Sequence, residues 1–267
     1  MSGVRLTYIG GPTLLIEYGG WRLLTDPTFD PPGRRYRFGP GISSRKLSGP
    51  AIDLAELGSI DAVLLTHDHH GDNLDDAGRA VLRSAGQVMT TVAGARRLRE
   101  LLGGRVTGLR AWSTAALEAP GRPTLEVTAT PCRHGPPLSR ALVGDVVGFA
   151  LHRPDRRGGD VWISGDTVLH AGVREVADRV DVDTAILHLG GVRFPLTGPL
   201  RYSMTARDAV ELCRLLHPRV EIPVHYEGWA HFRQNRDAAE REFARAPREL
   251  RDRVHWLTAG VPTEPAP

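Results

Sequence analysis

Near its start the chain carries short apolar-rich runs, broken by polar and glycine positions, of the length of strands. RLTYIG, TLLIEY and WRLLT, between residues 4 and 25, read as three strands, and Gly19-Gly20 between the last two is a two-residue hairpin signal. Asp26-Pro27 ends the third strand. The stretch 31–50, rich in Gly, Pro and Arg, predicts a long loop, and loops of that length are commonly functional or mobile. From Asp61 the pattern changes. The strand-like DAVLLT and QVMTT alternate with DDAGRAVLRSA and VAGARRLRELL, whose apolar positions recur at helical spacing. A second strand-rich block follows, TLEVTAT, VVGFALH and DVWISG, with Arg157-Gly158-Gly159 turning the last two into a hairpin. Next come a short helix near 170–179, the strand TAILHL and a loop over 190–203. Thr205-Ala206-Arg207-Asp208 fits a capping box, and Ala209, Val210, Leu212, Cys213 and Leu216 continue it as a helix that Pro218 closes. VEIPV then delivers His225, a polar helix runs from about Asn235 to Ala246, and a short strand is expected near Val254 to Leu257. The order predicts an α/β (α+β) architecture of two sheets, each strand-rich block followed by helices, with helices on the outside.

Composition narrows the class. The 267 residues, 41% apolar and 24% charged, suffice for a substantial core, and no linker-like shift divides them, so one domain spanning 1–267 is expected. No period repeats, which argues against a solenoid or propeller. The formal charge is +3 with a pI near 9.2, but basic residues form no run and acidic ones are interspersed, so no nucleic-acid partner is expected. Lys46 is the only lysine, so nearly all the positive charge is arginine. Two cysteines, Cys132 and Cys213, are too few for a disulfide framework in a chain this long and suit a reducing cytoplasm. MSGVRLTYIG has no basic segment followed by a long apolar run, and about 18 consecutive apolar residues occur nowhere, so neither export nor a membrane span is expected.

The densest chemical signal is Thr66-His67-Asp68-His69-His70-Gly71-Asp72-Asn73-Leu74-Asp75, directly after the apolar strand Ala62 to Leu65. Five imidazoles or carboxylates fall within positions 67–72. At a strand exit such a cluster can aim several lone pairs at one spot, as Zn²⁺ or a similar ion requires. Unpaired, the same groups are costly to desolvate. The bland alternative is a solvated turn with a helix N-cap at Asn73 or Asp75. Three more candidates each follow an extended segment: His134 in TATPCRHGP, Asp166 in VWISGDT and His225 in IPVHYEGW. Singly, each reads equally as a capped turn or a satisfied core histidine. Their recurrence after strands, in the order His cluster, His, Asp, His, argues for one shared centre. His188 in TAILHLGG is a candidate for substrate contact or a structural histidine, and Arg193 and Tyr202, with Phe194, lie in the 190–203 loop where a lid or specificity loop would sit. Cys132 reads as a small buried hydrophobe, and His152, His170, His217, His231 and His255 have no ligand-like company.

On these residues the chain resembles the metallo-β-lactamase superfamily, and within it the branch of ascorbate-6-phosphate lactonase-like and N-acylphosphatidylethanolamine phospholipase D-like hydrolases. LTYIGGPTLLIEYGGWRLLTDPTF is similar to the branch's opening strands and Asp-Pro turn. VLLTHDHHGDNLD takes the place of its metal loop, SGDT that of its bridging aspartate, and MTARDAVELCRLLHPRVEIPVHYEGW that of its final helix, strand and histidine. The resemblance spans nearly the whole chain and implies a four-layer αββα sandwich of two mixed sheets with metals at one edge. The superfamily's loop reads His-x-His-x-Asp-His, whereas here it is one residue longer between Thr66 and Leu74 and ends Asp72-Asn73. Counting forward from Thr66 matches His67 and His69 to the histidine pair. Counting back from Leu74-Asp75 puts Asp68, His70, Asp72 and Asn73 in the four positions. His67, His70 and Asp72 are the favoured ligands, with Asp68 next and His69 as the register alternative. Asn73 would weaken one of two metal positions, because a neutral amide oxygen is a poor ligand for Zn²⁺ beside imidazole or carboxylate. Gly11-Pro12-Thr13 also lacks the histidine that many of the branch carry after the first strand.

Carried over residue by residue, His134 would complete the first metal site, Asp166 would bridge two ions and His225 would hold the second. The implied activity is hydrolysis of an ester, lactone or phosphoester by a metal-activated water, with one or two Zn²⁺, or Mn²⁺ in its place, and a small-molecule substrate. Asp72, or Asp68, is the candidate catalytic carboxylate that orients or deprotonates the water. A non-catalytic or mononuclear metal-binding protein of the same fold is the alternative, motivated by Asn73 and the lengthened loop. Di-iron redox chemistry would want a flavin or electron-transfer domain, and a nuclease an inserted nucleic-acid-binding domain; the 267 residues suggest neither.

Overall fold

The computed structural model describes residues 3–137 and 139–266. Gly19 and Gly20, at φ 61° and 82°, supply the left-handed backbone that a tight hairpin turn needs. Strands β1 (Val4–Gly10), β2 (Thr13–Tyr18) and β3 (Trp21–Thr25) accordingly form an antiparallel meander. The loop expected over 31–50 instead contains a hairpin, β4 (Arg35–Gly39) and β5 (Ile42–Arg45). Its residues alternate, with Arg35 and Arg37 exposed and Tyr36 and Phe38 half-buried.

The chain then runs through β6 (Ala62–Leu64), α1 (Asp76–Ser84), β7 (Gln87–Thr91), α2 (Val92–Leu102) and β8 (Val106–Leu109). Asp75 and Thr91 cap the two helices through side-chain bonds from Gly78 N–H and Gly94 N–H. β3, β6, β7 and β8 pair in parallel, which gives a six-stranded mixed sheet of order β1-β2-β3-β6-β7-β8.

The second sheet takes β9 (Thr114–Leu117), β10 (Leu125–Pro131), β11 (Val147–His152), β12 (Asp160–Ile163), β13 (Val182–His188) and β14 (Val220–Val224) in the order β14-β13-β12-β11-β10-β9. The hairpin expected at Arg157-Gly158-Gly159 joins β11 to β12. A short helix α3 (Arg140–Val143) precedes β11. The helix expected near 170–179 is divided into α4 (Ala171–Arg174) and α5 (Val176–Arg179). The capping box forms at α6 (Ala206–Leu216), with Thr205 and Asp208 reciprocally bonded. The strand expected near Val254 to Leu257 is reduced to a single bridge between Glu221 and Val254. Glu221 uses both its backbone groups, on Arg253 and His255, but the next pairing position on β14 is Pro223, which has no N–H to continue the ladder. Helices α7 (Arg236–Phe243) and α8 (Arg248–Arg251) flank this edge.

Three apolar layers hold the stack together. Leu6, Leu14, Ile16, Leu64 and Met89 meet Val127, Phe149, Ile163 and Ile222 between the sheets. Val81, Leu82, Leu98 and Leu102 of α1 and α2 cover the outer face of the first sheet against Val63 and Val88. Val173, Val176, Leu212 and Phe243 cover the second against Trp162, Ala185 and Leu187. The result is an αββα sandwich of two mixed sheets.

Candidate metal centre

Strands β6, β10, β12 and β14 end at one edge, and the residues just beyond each carry the chemistry. His67, His70 and His134 bring one ring nitrogen each within 4.8 Å of one another. One oxygen each from Asp72 and Asp166 and a ring nitrogen of His225 do the same, as a second set. None of the six residues is more than 7% exposed. Ordinary solvated turns leave such groups in water, so their joint burial separates this arrangement from the bland reading.

The lengthened loop folds as a turn in which the Asn73 and Leu74 N–H groups donate to the His70 carbonyl at 3.2 and 2.9 Å. Asp68 and His69 are thereby looped out, and neither joins a donor set. The Asp68 carboxylate accepts from Arg97 on α2, with Nε at 2.8 Å, and that guanidinium holds it below the usual carboxylate range despite burial. The His69 Nε2 donates to the Val143 carbonyl. Asp68 and His69, both expected as ligands and Asp68 also as a catalytic carboxylate, thus stand outside the two donor sets. A buried carboxylate needs a partner, and Asp68 finds it in a cation outside the centre. Asn73 also stays out of the donor sets. With its amide nitrogen facing the carboxylates it donates to Asp166 Oδ2 and Asp72 Oδ1, both at 3.2 Å, and so orients them.

Hydrogen bonds to the far ring nitrogens set the tautomers. His134 Nδ1 lies 2.6 Å from the Tyr202 carbonyl and His225 Nδ1 3.2 Å from the Leu189 carbonyl. A carbonyl only accepts, so each Nδ1 carries the proton that donates, and Nε2 of His134 presents a lone pair to the centre. Burial pushes His67 and His70 well below the ordinary imidazole value and His134 down to about 4, so all three are neutral, the form in which histidine ligates. In the second set burial raises Asp166 to about 6, whereas Asp72 is held low because the His225 and His231 imidazoles outweigh its desolvation. Burial opposes charging of His225, but Asp166 and Asp72 prevail and lift it to about 9.

Backbone strain concentrates here. Among the described residues four non-glycines have left-handed φ, and two of them, Asp26 at 33° and His225 at 60°, belong to this edge. A Cβ at Gly190 would lie 2.7 Å from the His225 carbonyl, so only glycine lets the two loops approach.

Two contributors escaped the sequence reading. His231, six residues after His225, places Nε2 3.0 Å from Asp72 Oδ2 and Nδ1 2.6 Å from Ser44 Oγ. Its signal was its position in the segment already carrying His225, in HYEGWAHF. Asp26, at the Asp-Pro turn, is fully buried and accepts from the Thr66 N–H at 2.7 Å, which anchors the start of the metal loop. Burial raises its carboxyl to about 7. The lone lysine, Lys46, is buried too, and its Nζ lies 2.8 Å from Asp75 Oδ2. Asp75 also accepts from the Phe29 and Asp30 N–H groups at 2.9 and 2.7 Å, so one carboxylate ties the α1 cap, the turn after β3 and the end of the β4–β5 hairpin together.

That hairpin roofs the centre. Phe38 stands 5.2 Å from the His70 ring and 4.9 Å from His231, Phe194 stacks on His231 at 5.4 Å, and a Cβ on Gly71 would run into Tyr36. Tyr202 packs 5.9 Å from His134. His188, expected as a substrate contact or a structural histidine, is fully buried, 3.7 Å from Asp26 and with its ring 5.7 Å from that of His225. Arg193 is exposed, and its carbonyl accepts from Arg233.

Residues 21–226 match the family model described as the beta-lactamase superfamily domain. The chain belongs to that superfamily. A metal-dependent hydrolase of Caldivirga maquilingensis is 26% identical over 231 residues, covering 86% of this chain and 85% of the relative. Among solved structures, the isothiocyanate hydrolase from Delia radicum gut bacteria superposes with a TM-score of 0.77 at 19% identity, covering 98% of this chain and all (100%) of the other. The metallo hydrolase Igni18 of Ignicoccus hospitalis gives 0.71 at 22% identity, with 97% of each chain covered. At these identities the solved structures attest the beta-lactamase superfamily fold, and the chain joins a family whose curated relatives are named metal-dependent hydrolases.

Proposed function

We propose that this chain hydrolyses an ester, lactone or phosphoester at a two-ion centre held by His67, His70 and His134 on one side and Asp72, Asp166 and His225 on the other. The observation that carries the reading is a donor mismatch. Asp166 Oδ1 and His225 Nε2 are buried without a hydrogen-bond partner, and no Lys or Arg among the described residues pairs with Asp26, Asp72 or Asp166. Orphaned nitrogen and oxygen donors around carboxylates that only imidazoles face fit a divalent cation, and the mixed His/Asp set favours Zn²⁺, with Mn²⁺ as the alternative. When bound, such ions supply Lewis-acid polarisation of the scissile carbonyl or phosphoryl group and make water a competent nucleophile near neutral pH.

The protein's own groups do the rest. The Tyr202 and Leu189 carbonyls fix the His134 and His225 rings. Asp72 orients the attacking water, and His231 steadies Asp72 and can pass a proton to or from it. The Phe38 and Phe194 roof keeps bulk water away, which strengthens every electrostatic contact beneath it. The described chain acts as one catalytic unit on a small molecule.

The test is metal analysis together with hydrolysis of a panel of lactones, carboxylic esters and phosphoesters, using wild type, His134→Ala and His225→Ala. The reading expects two ions per chain and metal-dependent turnover that both variants lose. Unchanged turnover after metal removal would sink it. Asn73 favours a second reading, a single ion in the His67, His70 and His134 set, which the same stoichiometry would report as one.

A further inference from the structure

A cavity of about 510 Å³ opens beside the centre and shares His134 with it. Its walls carry four arginines, Arg96, Arg110, Arg133 and Arg140, against one acid, Asp145. Asp145 is already committed to Arg140. Arg133 spends one N–H on the Gly135 carbonyl, and among the described residues neither Arg96 nor Arg110 has an acidic partner. Three guanidinium groups are thus left without counter-charge around one space. Thr91, Val92 and Ala93 complete the wall at the start of α2, an 11-residue helix with no acid in its first turn, so the positive end of the helix dipole adds to the potential. A cavity with this charge, this volume and a shared wall at a candidate metal-binding histidine is a place for one part of a substrate whose reacting bond lies at the centre.

We propose that the substrate carries an oxyanion, a phosphate or a carboxylate, that seats among Arg96, Arg110 and Arg133 while its scissile bond lies at the His/Asp centre. The proposal rests on the hydrolase reading for the second half of that statement only. Guanidinium forks match both oxyanions in a bidentate manner, and the apolar cluster of Val143, Val192, Phe194 and Tyr202 beside the cavity suits an uncharged remainder.

Nitrophenyl esters whose acyl chains end in methyl, carboxylate or phosphate give the kinetic test, and calorimetric titration of the metal-loaded protein with phenyl phosphate and benzoate gives a binding test. Wild type is expected to prefer a charged ester by tenfold or more in kcat/KM, and Arg96→Ala/Arg110→Ala to cut that preference by about tenfold or more, with partial recovery in the double lysine variant. Phenyl phosphate or benzoate should bind at least tenfold more weakly to the double alanine variant, and the tighter of the two identifies the oxyanion. Arg241→Ala, on the exposed face of α7, is the control that changes neither. Hydrolysis with no charge preference and no change in binding would overturn the oxyanion site and leave the hydrolase reading standing. No hydrolysis of any ester, with weakened binding in the double variant, would do the reverse.

Discussion

Glu221 sits on β14 with both carboxyl oxygens buried and lacking a well-formed hydrogen bond, beneath α6 at Cys213. Desolvation raises its pKa from an ordinary 4.5 to about 7, and Cys213 and Arg253 only partly offset it. Because the folded state prefers the protonated acid, the unfolded chain loses its proton first as pH rises. Stability therefore falls from about pH 4.5 upward and levels off above about pH 7. Linkage gives a full effect of about 3 kcal/mol, of which about 2 to 3 kcal/mol falls between pH 5 and pH 8. Glu221→Gln cannot ionise. Its buried amide adds a constant offset, but the difference in unfolding free energy between variant and wild type should shift by about 2 to 3 kcal/mol in the variant's favour across that window. Urea titrations of both proteins at several pH values, in the metal-loaded form, measure it. A difference that stays flat with pH would show that Glu221 is ionised in the fold and would refute the assignment.

Removing the ammonium from the buried Lys46–Asp75 pair in Lys46→Met strands a carboxylate, and about 3 to 5 kcal/mol of stability should go with it, read as a lower urea midpoint; a loss below about 1 kcal/mol would contradict the pairing. His231→Ala withdraws the partner of Asp72 and should weaken metal affinity or turnover by about 10–100-fold, measured by competitive metal titration and kcat, while ion binding at the His67 set persists. Asp68→Asn, despite its place in the His/Asp cluster, should keep full metal content by elemental analysis and lower the melting temperature; loss of an ion would restore Asp68 to the coordination sphere.

The strands nearest the centre were legible because their signals are local. Gly19-Gly20 dictates a turn, Thr205 and Asp208 dictate a cap, and continuous apolar runs such as Ala62 to Leu65 dictate burial on both faces. The β4–β5 hairpin was not, since its inward residues Tyr36 and Phe38 are interleaved with Arg35 and Arg37 and its turn is built from Pro40 and Gly41, a composition shared with loops. His231 was missed for a different reason: its partners Ser44 and Asp72 are 187 and 159 residues away, and no spacing along the chain encodes that meeting. The loop register shows the same limit. The pairing of His67 with His70 becomes visible only with the turn at His70, and Asp68 is drawn aside by Arg97, 29 residues away.

Neither sheet owns a complete donor set. His67, His70 and Asp72 leave the first sheet through β6, whereas His134, Asp166 and His225 leave the second through β10, β12 and β14. Either sheet alone therefore holds only fragments of each donor set, which are complete only where the two sheets of the sandwich close on each other. An ion in each set would then act as a rivet across the seam, and competence for catalysis would double as a report that the halves have joined.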